Sequence, residues 1–183
     1  RFMNRYVICD YRITQIADIE AEGGKLSGMV FELCAGDSMK QAEGFVHGIS
    51  SYEEPLKYGY YAPQTGGGKR PLIIWLHGAG EGGQDPTIAY TGNKVVNLAS
   101  EEIQAKFGGA YVLVPQTPTF WMDNGSGQYT RTGQSRYVKA LKALIDEFIA
   151  KNDAAIDTQR IYIGGCSNGG FMTMRMIIDY PDF

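Results

Sequence analysis

The sequence predicts an α/β fold: a mostly parallel sheet with helices on both faces. Two observations carry this. Short, continuously apolar runs recur at 71–78 (PLIIWLHG), 110–116 (AYVLVPQ) and 161–165 (IYIGG), and Gly or Pro lies in or beside each. Runs of this length suit strands buried on both faces. Segments with helical spacing follow each of them, at 94–107, 134–152 and 171–180. Strand and helix therefore alternate, which is the order a parallel sheet needs, because every crossover must carry the chain back to the same end.

The elements read as follows. Residues 5–14 (RYVICDYRIT) and 27–34 (SGMVFELC) carry β-branched and aromatic residues, and the turn-like EAEGGK separates them. Residues 56–63 (LKYGYYAP) alternate as a strand, and the loop QTGGGKR leads to the first buried strand. Val95, Leu98, Ala99 and Ile103 form one stripe of a helix over 94–107, ended by Gly108-Gly109. A polar and aromatic loop, Thr117 to Gly133, precedes the clearest helix, 134–152, with Tyr137, Leu141, Leu144, Ile145 and Phe148 on one face. IDTQR reads as a turn, IYIGG as the third buried strand, and Phe171 to Tyr180 as a helix stopped by Pro181. Residues 1–45 read as a small β unit or an N-terminal extension of the sheet, and 46–183 as the main unit.

Composition narrows the function classes. The 183 residues suit one core, and 44% hydrophobic with 20% charged is an ordinary globular balance. Net charge is 17 − 20 = −3 with no block of like charge, so nothing points to nucleic acid or an acidic membrane surface. No run approaches a membrane span, and RFMNRY is not a signal peptide. Cys9 and Cys34 would pair if two early strands lay side by side, leaving Cys166 over; alternatively all three are small buried hydrophobes. Nothing calls for a metal or a cofactor.

The stretch RIYIGGCSNGGF holds the chemistry. Gly165-Cys166-Ser167-Asn168-Gly169 fits G-x-S-x-G between a buried strand and an apolar helix. A strand turning directly into a helix strains its apex, and residues two positions either side must lack a Cβ. The serine hydroxyl then stands clear of the sheet, and the amide of Asn168 is free to donate to an oxyanion. A second glycine-rich loop, LHGAGEGG (76–83), follows the first buried strand. Gly78 and Gly80 let its backbone approach a carbonyl, with the amide of Ala79 as the candidate donor. No Lys-Ser/Thr follows at the spacing of a nucleotide loop.

With IIWLHGAGEGG, YVLVPQTPTFW and IDTQRIYIGGCSNGG, residues 45–183 resemble the α/β-hydrolase superfamily, and within it the polyhydroxybutyrate-depolymerase-like and prolyl-oligopeptidase-like esterases. The resemblance implies a secreted or periplasmic serine esterase without a cofactor. It would use Ser167, an oxyanion hole near Ala79 and Asn168, and an acid and a histidine that come later in the chain. Acetyl or feruloyl esters of polysaccharide are the substrates it suggests; a peptidase or a non-catalytic binding scaffold are the alternatives. The chain departs from that pattern. Sixteen residues follow Ser167 (183 − 167), none of them histidine, and Asp179 and Asp182 sit at the far end of the helix. His77 is expected to brace its loop, and His47 matches no family position. The expectation is therefore an N-terminal portion of a longer hydrolase, nearly inert alone, or a fold completed by a second chain. In the 117–133 loop, Phe120, Trp121, Met122 and Tyr129 either grip the substrate or anchor the loop on the core.

Overall fold

The computed structural model describes residues 11–21, 23–33, 42–64, 67–128 and 132–182. Two antiparallel pairs come first: β1 (Tyr11–Thr14) with β4 (Val30–Leu33), and β2 (Ile19–Ala21) with β3 (Gly24–Leu26). The segment expected to be a plain turn is thus the tip of a hairpin. It reverses on Gly23 and Gly24, whose φ values of 90° and 150° are open to glycine. Among the described residues neither pair joins the main sheet. Cys9 and Cys34 lie outside the described residues, and with them the question of their pairing.

The main sheet contains β5 (Phe45–Ile49), β6 (Lys57–Tyr61), β7 (Arg70–Leu76), β8 (Tyr111–Gln116) and β9 (Ile156–Gly165), ordered β5-β6-β8-β7-β9. The three buried strands anticipated from sequence form its parallel part, with β7 between β8 and β9. β5 and β6 extend it antiparallel. β5 has no clear signal of its own, because its Gly48 is required by a partner. A Cβ there would lie 2.3 Å from the Tyr58 ring. β9 also begins earlier than expected: residues 156–160, read as a turn, are strand.

Helices cover both faces. On one side lie α1 (Pro86–Thr91), a 3-10 segment (Gly92–Ala99) and α2 (Glu101–Phe107); on the other lie α3 (Val138–Lys151) and α4 (Asn168–Asp179). The single helix expected over 94–107 is broken. Asn93 and Lys94 take left-handed φ values of 52° and 57°, and Ser100 caps α2 by accepting from Ile103 N. A serine that serves a helix end competes with continuing the preceding helix. α1 is absent from the expected elements although its signal is present: Asp85 Oδ1 accepts from Thr87 N at 3.0 Å, and Pro86 occupies the first turn.

Alternation along the strands sorts the core. Leu72, Ile74 and Leu76 of β7 and Leu113 of β8 pack with α3 and α4, around Leu141, Leu144, Ile145 and Phe148. Val112 and Val114 face Tyr90, Val95 and Val96 on the other side. No helix among the described residues is long and apolar enough to cross a membrane. Leu113→Ala should cost about 3 kcal/mol. Urea unfolding should show this as a lower midpoint at unchanged slope, since the exposed surface on unfolding barely changes.

Candidate active site

The chain leaves β7 toward α1 on one face of the sheet, and leaves the adjacent β9 toward α4 on the other. Neighbouring parallel strands whose carboxyl ends exit to opposite faces open a crevice between their loops. Ser167 and the 78–83 loop both stand there.

Ser167 is exposed and adopts φ 51°, ψ −110°. A left-handed non-glycine residue costs on the order of 1–3 kcal/mol and persists only when its surroundings hold it. They do so through backbone bonds: Cys166 N to Leu76 O at 3.0 Å, Gly169 N to Cys166 O at 2.8 Å, and Phe171 N to Ser167 O at 3.1 Å. The flanking glycines are sterically required. A Cβ on Gly169 would sit 2.0 Å from Leu76 O, and one on Gly165 would sit 2.6 Å from the Gly169 carbonyl carbon. The turn is therefore pressed flat against the end of β7.

The loop after β7 forms a 3-10 turn, Ala79–Glu81. The Gly78 amide donates to Glu81 Oε2 at 2.6 Å, so it points into the protein. Ala79 is exposed and opens the turn, where an amide has no intrahelical acceptor. Gly78 also borders the serine turn, with its Cβ position 3.8 Å from Cys166 O. The loops bearing Ala79 and Asn168 thus abut at Gly78 and Cys166.

Neither histidine is placed as a base. His77 is buried; its Nε2 accepts from Thr117 N at 3.1 Å, which leaves Nδ1–H to donate to Gly78 O at 2.7 Å. Burial pushes its pKa down to about 4, against the opposing effect of the Gly78 bond, so it stands neutral and braces two loops. His47 lies on β5, bonded to Tyr90 Oη at 3.0 Å. Four inter-strand steps separate β5 from β9, about 19 Å. Asp179 pairs with Arg175 at 2.7 Å, and the eleven residues from Asn168 carry it about 16 Å down α4. Asp182 follows beyond the helix end. Among the described residues no group of His, Cys, Asp and Glu could hold a metal.

For two of its aromatic and apolar residues the 117–128 loop decides between the two roles expected of them. Trp121 is fully buried, its ring 5.1 Å from that of His77 and edge-on to Tyr137, and Met122 is buried beside it. Both anchor the loop and present almost no surface to solvent; Phe120 is half-buried, and Tyr129 lies outside the described residues. Sequence reasoning missed two polar hubs. Asn168, besides its backbone position after Ser167, accepts the Met122 amide on Oδ1 at 3.2 Å, tying loop to turn. Asp123 accepts from Thr119 Oγ1, Gly125 N and Gly127 N. Burial alone would raise its pKa, but those donors and the Arg136 charge outweigh it and hold the carboxyl below its usual value. The Asp-Asn-Gly triplet is a turn signature that points to such a hub.

No family model matches the chain. It is 31% identical over 123 residues to a poly(3-hydroxybutyrate) depolymerase of Ralstonia pickettii, covering 66% of this chain and 25% of that protein. It is 30% identical over 125 residues to feruloyl esterase B of Neurospora crassa, covering 67% and 39%. A crystal structure of a thermostable esterase superposes with a TM-score of 0.69 at 26% identity, covering 94% of this chain and 48% of that one. The chain thus spans about a quarter and two-fifths of the curated relatives it matches.

Gly169→Ala should prevent the Ser167 turn from closing on β7. The expected result is loss of several degrees in Tm, read by thermal unfolding. His77 yields a pH prediction. Its pKa is depressed from 6.5 to about 4, so the stability gained by keeping it neutral is complete above pH 6.5. That contribution, about 3 kcal/mol, is lost as pH falls from 6.5 toward 4. His77→Gln should be less stable at pH 7 yet flatter across that window.

Proposed function

We propose that this chain, which has the α/β-hydrolase fold and is similar to polyhydroxybutyrate-depolymerase-like esterases, supplies the nucleophile and oxyanion-binding part of a serine esterase. The observation that carries the reading is the strained, exposed Ser167 held against β7 beside the Ala79 turn. A turn that served only to connect strand and helix would have no need of that strain.

In this reading Ser167 Oγ attacks an ester carbonyl while a histidine takes its proton. The carbonyl π electrons move to oxygen, and the oxyanion accepts from the Ala79 and Asn168 amides, each worth about 3–4 kcal/mol. Collapse expels the alcohol with the proton from the histidine, and water then releases the acid from the acyl-serine. No cofactor takes part. The substrates in this reading are carboxylic esters; one relative's name points to feruloyl esters, and the family resemblance suggests acetyl or feruloyl esters of polysaccharide.

The histidine and acid come, in this proposal, from polypeptide outside residues 1–183. Two features support a place for it. β9 stands at the sheet edge with one partner strand among the described residues, and α4 exposes Phe171, Met174 and Ile178 at i, i+3 and i+7. An apolar helix stripe beside an open strand edge suits further strands and helices of the same layer.

The test is fluorophosphonate labelling of the full-length protein, with the label mapped by peptide mass. Label at Ser167 is expected, and Ser167→Ala should lower p-nitrophenyl acetate hydrolysis by about a thousandfold or more. Label elsewhere, or full activity in the alanine variant, would sink the reading. Residues 1–183 alone should label at the background rate of an unactivated serine.

A further inference from the structure

We propose that Glu81 is a positioning residue for the oxyanion hole, an inference that rests on the serine-esterase reading above. Glu81 is 2% exposed, a carboxylate inside a loop otherwise built of glycine and alanine. Burying a carboxylate is costly unless donors meet it, and here they come from separate parts of the chain. Oε2 accepts the Gly78 amide at 2.6 Å, and Oε1 accepts Asn93 Nδ2 at 2.6 Å. Its backbone carbonyl accepts Gln116 Nε2, from the end of β8, at 2.9 Å.

The surroundings are shaped to let the carboxylate in. A Cβ on Gly92 would lie 2.2 Å from Oε1, and Asn93 adopts the left-handed conformation that asparagine tolerates better than most residues. The functional link runs through Gly78. By taking that amide inward, Glu81 fixes the His77–Gly78 peptide, one before the peptide that carries the Ala79 N–H, at the point where the loop abuts Cys166. The aim of the Ala79 amide relative to the Asn168 amide then depends on Glu81 together with His77, which holds Gly78 O on the next peptide. A donor displaced by a few tenths of an ångström loses transition-state stabilisation while leaving ground-state binding nearly intact.

The test uses the full-length protein and two variants. In Glu81→Met the side chain keeps its length but offers no oxygen, so the Gly78 amide loses its side-chain acceptor. The expected outcome is a fall in kcat of about tenfold to a hundredfold, with KM within about twofold and a folded protein by circular dichroism. Glu81→Gln is the conservative variant: its side-chain oxygen still accepts the Gly78 amide, and its nitrogen donates to Asn93 Oδ1 once the Asn93 amide turns over. It should keep kcat within about threefold of the parent. A folded Glu81→Met protein with kcat within twofold of the parent overturns the proposal, and so does a folded Glu81→Gln protein as slow as Glu81→Met. If Glu81→Met does not fold, Glu81→Gln decides alone. Ser167→Ala is the control for the underlying reading: an active Ser167→Ala protein removes that reading itself, whereas an inactive one with unaffected Glu81→Met removes only the role of Glu81.

Discussion

The backbone contact between the Ser167 turn and the end of β7 governs everything else at this end of the sheet. Leu76 O accepts from Cys166 N and lies where a Gly169 Cβ would be. Because β7 is also the strand that launches the 78–83 loop, one contact sets both the strain on Ser167 and its distance from the second glycine-rich loop. Packing alone would not hold a left-handed serine; directional bonds from a neighbouring strand end do. The parallel pairing of β7 with β9 is what brings those two strand ends into register.

Buried polar side chains then wire the loops to one another. His77 spans Gly78 O and Thr117 N, Glu81 joins Gly78 to Asn93, Asn168 holds Met122, and Asp123 closes its own turn. Each of these groups is costly to bury and is met by at least one bond, although Asn168 Nδ2 has no partner among the described residues. Apolar contacts tolerate sliding, whereas a bonded carboxylate or imidazole admits one arrangement. The floor of the crevice is thus tied by directional bonds, and Ser167 and Ala79 stand exposed above it.

What is legible in advance follows from how local each cause is. The apolar runs of β7, β8 and the last half of β9 identify themselves by composition, and Gly165-Cys166-Ser167-Asn168-Gly169 identifies itself by spacing. β5 is hidden because its sequence, FVHGI, is shaped by the Tyr58 ring above Gly48. The break at Asn93 and Lys94 is hidden because the carboxylate that Asn93 serves lies twelve residues earlier. Trp121 reads as a candidate substrate contact because an aromatic residue in a polar loop looks the same whether it points out or in.

The α/β class, the alternation of the three parallel strands with helices, and the serine at the strand-to-helix turn all follow from the sequence. They rest on periodicity and on backbone sterics, which act within a few residues. The sequence already casts His77 as a loop brace, but folding was needed to set its partners and its neutral state, to make Trp121 a core residue and to make Glu81 a hub between loops. Those roles depend on burial and on partners 1 to 44 residues away in sequence, such as Gly78 and Thr117 for His77, Gly78 for Glu81 and Trp121 against His77. No residue's own type reveals which of its possible partners the folded chain will bring to it.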